Sequence, residues 1–129
     1  MSQSASQANA FYRDVAKYRK MWTLRKGDVF ASVPKPNGTT AVPFWSTLSR
    51  VQKILATVPV YSGGEPVEVS WDEFLAKWIP DLRKKEWLIG VNWSGRNATG
   101  YDLEPDWVLK CINTLESEAS NQPPEITAR

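Results

Sequence analysis

Histidine is absent from the 129 residues, and cysteine occurs once, at Cys111. The first absence removes the usual general base, proton shuttle and metal ligand near neutral pH. Together they exclude a Ser-His-Asp or Cys-His site, a CxxC redox pair and a zinc finger built from this chain alone. No apolar run approaches the ~18 residues that cross a bilayer, and polar Met1–Asn9 lacks the apolar stretch of a signal peptide. These features point to the cytoplasm and a reduced Cys111. Gly63-Gly64 lacks the Lys-Ser/Thr continuation of a phosphate loop, and no cofactor motif is present.

What the chain has in excess is tryptophan, seven in all. Tryptophan supplies large rigid contact area, the material of cores and of binding surfaces. Charge is divided unevenly. Residues 1–35 hold seven Lys/Arg against two Asp, a net +5, and the remainder holds nine against twelve acids, a net −3. Such a bipolar surface orients a charged partner on approach, although a solvated helix face followed by a hairpin reads the same way.

Hydrophobic periodicity organises the chain as one domain over residues 7–118, with a frayed 1–6 and a disordered tail over 119–129. From Gln7 to Lys20, Ala8, Phe11, Tyr12, Val15 and Tyr18 recur at helical spacing, with Arg13, Lys17 and Lys20 opposite. Strands follow at Met21–Arg25, Val29–Val33 and Thr39–Trp45, read as an antiparallel meander. A second helix begins at Ser46 or Thr47, with Leu48, Val51, Ile54 and Leu55 on one face, and stops near Pro59. Val67–Val69 is a short extended lead-in to Ser70-Trp71-Asp72-Glu73, which fits a capping box. Trp71, Phe74, Leu75, Trp78, Ile79 and Leu82 then form an apolar stripe. Pro80 conflicts with it and predicts a kink, or an end at Trp78–Ile79 with a short extra turn through Lys84. Leu88–Trp93 and Tyr101–Leu103 read as strands, and Pro105 opens a last helix with Trp107, Val108, Cys111, Ile112 and Leu115 on its buried face. The expectation is an α+β fold: a small, mostly antiparallel sheet of about four to six strands packed against about four helices.

The order of motifs resembles the bacterial domain of unknown function 2750 family. The matching pieces are Met21-Trp22-Thr23-Leu24, Val42-Pro43-Phe44-Trp45, Val69-Ser70-Trp71-Asp72-Glu73-Phe74-Leu75 and Lys77-Trp78-Ile79-Pro80-Asp81-Leu82, followed by Leu88–Asn92 and Leu103-Glu104-Pro105. They span about residues 10–117. Where that family often has a glycine before the next strand, Lys85-Glu86-Trp87 stands here. The resemblance implies a small bacterial α+β domain and no particular activity.

Each candidate for chemistry has a plain structural alternative. Asp102, Glu104 and Asp106 alternate as a cation site would, yet carboxylates at a helix start also compensate the helix dipole; no metal is assigned. Ser94-Gly95-Arg96-Asn97 cups an anion through Arg96 or stands as a solvated loop. Trp71, Trp78 and Trp107 lie on helix stripes and belong to the core, and Trp22 faces the helix layer. Trp45, Trp87 and Trp93 sit at element ends where a ring is half exposed. With Tyr61, Arg96 and Tyr101 they are the candidate partner contacts. The leading expectation is a non-enzymatic module that binds another protein, an immunity-type inhibitor or adaptor. The alternative is single-stranded nucleic-acid binding, with Arg13, Lys17, Lys20, Arg25 and Lys26 tracking phosphates. A third class, a small enzyme working through carboxylates or Arg96, follows last.

Overall fold

The computed structural model describes residues 2–121. Helix α1 (Gln3–Tyr18) is capped by Ser2, whose hydroxyl accepts from the Ala5 amide at 3.1 Å. That cap satisfies one of the first-turn N–H groups, so residues 3–6 are helical rather than frayed. Ala8, Phe11, Tyr12 and Val15 are buried, whereas Tyr18 is exposed because the helix ends there. Arg19 takes the left-handed conformation, φ 59°, and turns the chain into a sheet.

Strand β1 (Lys20–Lys26) pairs antiparallel with β2 (Val29–Phe30) and, along its other side, with β5 (Glu65–Ser70). The expected strand Val29–Val33 is two. Ala31 still donates to Leu24, then the chain leaves, and β3 (Val33–Pro34) joins a second sheet. There it pairs with β4 (Thr40–Phe44), which runs parallel to β6 (Leu88–Ser94), and β6 pairs antiparallel with β7 (Thr99–Leu103). The result is two sheets, ordered β2-β1-β5 and β3-β4-β6-β7, in place of the expected meander. They meet at a single bridge, where Trp22 and Trp45 exchange both backbone hydrogen bonds at 2.8 Å. The three strand prolines fit this arrangement. Pro34 and Pro66 lie on edge strands, and Pro43 lies between the last β3 pairing, at Ala41, and the Trp22–Trp45 bridge, where no ladder partner is paired with it on that side. The Pro43 carbonyl accepts from the buried Thr23 hydroxyl of the other sheet at 2.8 Å.

Helix α2 (Leu48–Thr57) is capped by Thr47, buries Val51 and Ile54, and leaves Leu48 exposed. A 3-10 turn, Pro59–Tyr61, leads to β5, which is longer than the expected Val67–Val69. Ser70 caps α3 (Trp71–Glu73) by accepting from the Glu73 amide at 3.1 Å. A π-helical turn, Phe74–Trp78, then passes directly into α4 (Ile79–Lys85). Pro80 therefore neither ends nor breaks the helix. The Ile79 amide bonds to the Phe74 carbonyl, one residue further back than in an α-helix, and this wider turn carries Leu75 outwards while Phe74, Ile79 and Leu82 stay buried. The helix closes on Glu86, φ 57°, a non-glycine residue in the conformation that glycine usually supplies. Helix α5 (Pro105–Asn121) buries Val108 and Ile112; Trp107, expected in the core, is 50% exposed. Residues 119–121 continue this helix rather than beginning a tail, and the rest of the expected tail lies outside the described residues.

With α3, the π turn and α4 taken as one helix, four helices surround the sheets in an α+β fold. Strand alternation divides the core in two. Val42, Phe44, Ile89 and Val91 pack with α1, α4 and α5, while Ala41, Trp45 and Trp93 pack with α2.

A candidate binding cleft between the two sheets

The departure of the chain from one sheet to the other leaves a gap. A predominantly apolar cleft of about 600 Å³ opens there, walled by β2 and β3, the Pro59–Tyr61 turn and the turn joining β6 to β7. Val29 and Val60 border it and are 71% and 72% exposed.

Trp93 lines this cleft, held from several directions. Its indole lies against Gly90: a Cβ there would stand 2.2 Å from Trp93 Cε2, so only glycine admits the ring. The indole N–H donates to the Tyr101 carbonyl at 3.3 Å, and the Trp93 carbonyl accepts from the Trp45 indole at 2.8 Å. Lys35 Nζ sits 4.3 Å from the ring centroid and 3.2 Å from Asp102 Oδ2, while Asp102 Oδ1 is buried with no hydrogen-bond partner among the described residues.

An irregularity in β6 puts Trp93 in this place. The register shifts between Val91 and Ser94, and Asn92 takes φ 49°, a conformation that asparagine tolerates. Its side chain is buried in a polar network. Oδ1 accepts from the Ser46 amide at 2.8 Å, and Nδ2 donates to the Ser46 hydroxyl at 3.0 Å and the Gln7 carbonyl at 3.1 Å. Ser46 in turn donates to Asp14 Oδ2 at 2.7 Å.

The residues expected to form a contact surface are scattered. Trp45 and Trp93 are 0% and 2% exposed, not half exposed. Both rings are enclosed by the packing and hydrogen bonds just described. Tyr61 lines the cleft, packs edge-on against Trp45 at 6.4 Å between centroids, and has its pKa raised by burial. Trp87 is half-buried against the other core cluster under Lys85, and Tyr101 is exposed on β7. Arg96 projects from the β6–β7 turn and borders a different cleft.

The basic residues are also divided. Lys20 pairs with Glu68 at 3.2 Å and Arg25 with Glu65 at 2.9 Å, across β1 and β5. Lys26 Nζ donates to the Val60 carbonyl at 3.4 Å, Lys17 lies 5.3 Å from the Tyr18 ring centroid, and Arg13 is exposed. In the acidic run, Asp102 pairs with Lys35 and Asp106 with Arg83. Among the described residues no three His, Cys, Asp or Glu side chains gather as a metal site would need. Also among them, no helix is long and apolar enough to cross a membrane.

A family model described as protein of unknown function, DUF2750, matches residues 8–112. The chain belongs to the DUF2750 family. Every residue lining the cleft falls within the matched span, so the cleft is part of the DUF2750 domain itself. No curated protein matches the sequence.

Sequence reasoning missed Val29, Val60, Lys35 and Asn92. The two valines do leave a signal, since each stands in an apolar pair beside a turn. Asn92 leaves none, because its partners come from α1 and from Ser46 in the link between β4 and α2.

Proposed function

We propose that this DUF2750 chain is a non-enzymatic protein-binding module of a bacterial cytoplasm, an immunity-type inhibitor or adaptor, which takes an apolar segment of its partner into the cleft between the sheets. The observation that carries the reading is the pair of exposed valines, Val29 and Val60, beside an apolar cleft of about 600 Å³. Covering one such side chain fully contributes about 1.5–3 kcal/mol, and the cleft falls in the size range of sites that enclose several apolar groups. Lys26 at the rim suits acidic residues flanking that segment. The charged neighbours Lys35 and Arg25 are committed to Asp102 and Glu65, which supports binding over acid–base work. Pairing of Lys20 and Arg25 with carboxylates weakens the nucleic-acid alternative, because those cations would have to be freed to meet phosphates.

A tagged pull-down with and without nuclease, using the native chain and the double variant Val29→Asp/Val60→Asp, tests the reading. A stoichiometric protein that survives nuclease and is lost with the variant, whose urea midpoint is unchanged, supports it. Retention by the folded variant overturns the cleft as the contact, and recovery only without nuclease transfers the function to nucleic acid.

A further inference from the structure

A second cleft, of about 440 Å³ and more polar than the first, lies between the start of α1, one face of α2 and the β6–β7 turn. Trp93 borders it as well as the apolar cleft. Three cations line it: Arg50 and Lys53, one helical turn apart on α2, and Arg96 on the turn. No aspartate or glutamate lines it, and among the described residues none of the three is ion-paired. Six other cations, Arg19, Lys20, Arg25, Lys35, Arg83 and Lys85, are set against carboxylates. Gathering like charges in one concavity is unfavourable unless an anion enters, and a low-dielectric wall such as Trp93 strengthens the attraction for one.

The surroundings orient these cations without neutralising them. The part-buried Arg50 guanidinium donates to Gln7 Oε1, a neutral acceptor, and the Gln7 backbone is fastened by Asn92. Arg96 stands on a tight turn closed by the Ala98 amide bonding to the Gly95 carbonyl at 3.1 Å. The Ser94 hydroxyl accepts from Gln3 at 3.5 Å, which leaves its own proton to donate.

We propose that this cleft binds the phosphate group of a small phosphorylated ligand, with Arg50 and Arg96 donating to its oxygens and Lys53 supplying the third charge. The planar guanidinium fork suits a phosphate's paired oxygens. The cations line one concavity rather than running along a surface, and Lys20 and Arg25 of the expected basic face are already paired. That favours a single phosphate over a nucleic-acid backbone.

The test titrates the full chain with inorganic phosphate, pyrophosphate and phenyl phosphate, with sodium chloride as an ionic-strength control, and follows amide NMR shifts. The expected result is saturable movement of the Ser94–Arg96 amides with at least one phosphate probe and not with chloride. Affinity should fall about tenfold or more in Arg96→Gln and again in Lys53→Gln, because each removes a charge-assisted contact. Both side chains are exposed, so the remaining amide spectrum reports that the fold is kept. Absence of saturation with every probe, or unchanged affinity in both variants, overturns the proposal. Tighter binding of a short single-stranded oligonucleotide, with a steep salt dependence, overturns it in favour of a polynucleotide track. The apolar cleft is tested by other variants, so either reading can fail alone.

Discussion

The indole N–H of Trp45 donates to the backbone carbonyl of Trp93 at 2.8 Å, and both rings are almost wholly buried. One hydrogen bond thus ties the residue just after β4 to the irregular end of β6, where the wall shared by the two clefts is made. The same Trp45 bridges to Trp22 of the other sheet. A residue that looks like an edge ring is the joint between the sheets.

Trp45→Phe keeps an aromatic ring but removes the donor. The Trp93 carbonyl then loses its partner in a buried place, which costs about 1–3 kcal/mol. A urea titration should show a lower midpoint with an unchanged slope, since the surface exposed on unfolding stays nearly the same.

Gly90→Ala places a methyl carbon against the Trp93 indole at a separation no real Cβ contact shows. The ring is rigid and held at both ends, so either it or the strand must move. Overpacking of this kind costs about 1–3 kcal/mol, and near-UV circular dichroism should change because a tryptophan leaves its packed position.

Glu86→Gly has the opposite sign. Glu86 is left-handed at the end of α4, φ 57°, where an L side chain is disfavoured by roughly 1–2 kcal/mol and glycine is not. Glycine's extra freedom in the unfolded chain offsets part of this, so a gain of about 0.5–1 kcal/mol in urea stability is expected.

Tyr12 makes stability depend on alkaline pH. Burial first, and the neighbouring Cys111 second, raise its hydroxyl pKa above the value of about 10 that the unfolded chain retains. The folded state holds a proton that the unfolded state releases, so this contribution is complete below pH 10 and is lost as pH rises above it. Urea titrations at neutral pH and near pH ~11 should show a smaller alkaline loss for Tyr12→Phe than for the native chain. Tyr61, raised by burial, keeps its own share in both.

The helices are the legible part of this fold, because their signals are local. Ser70 and the stripe from Trp71 to Leu82 are written within a dozen residues, and the structure spoils the pattern only at Leu75, where the π turn is inserted. Sheet membership is not local. Val29–Val33 reads as one strand because five extended residues carry no mark of changing sheets, and the apolar cleft exists only because they do. Trp45 and Trp93 stand at strand ends, a position that suggests exposure. Their burial depends on α2 and on the left-handed Asn92, which distant residues stabilise. Arg96 is visible in the sequence as an anion candidate, but its companions Arg50 and Lys53 come from a helix far along the chain and are recognisable only after folding.

The strand order has a consequence for synthesis. On its β6 side, β4 finds its parallel partner only when Leu88–Ser94 has emerged from the ribosome, and β1 waits for Glu65–Ser70. Helices α1 and α2 can form from their own residues, but the first sheet lacks a strand until Ser70 is made and the second until Leu103 is made. The nascent chain therefore carries β1 and β4 without these partners through much of translation, and gains them one sheet after the other.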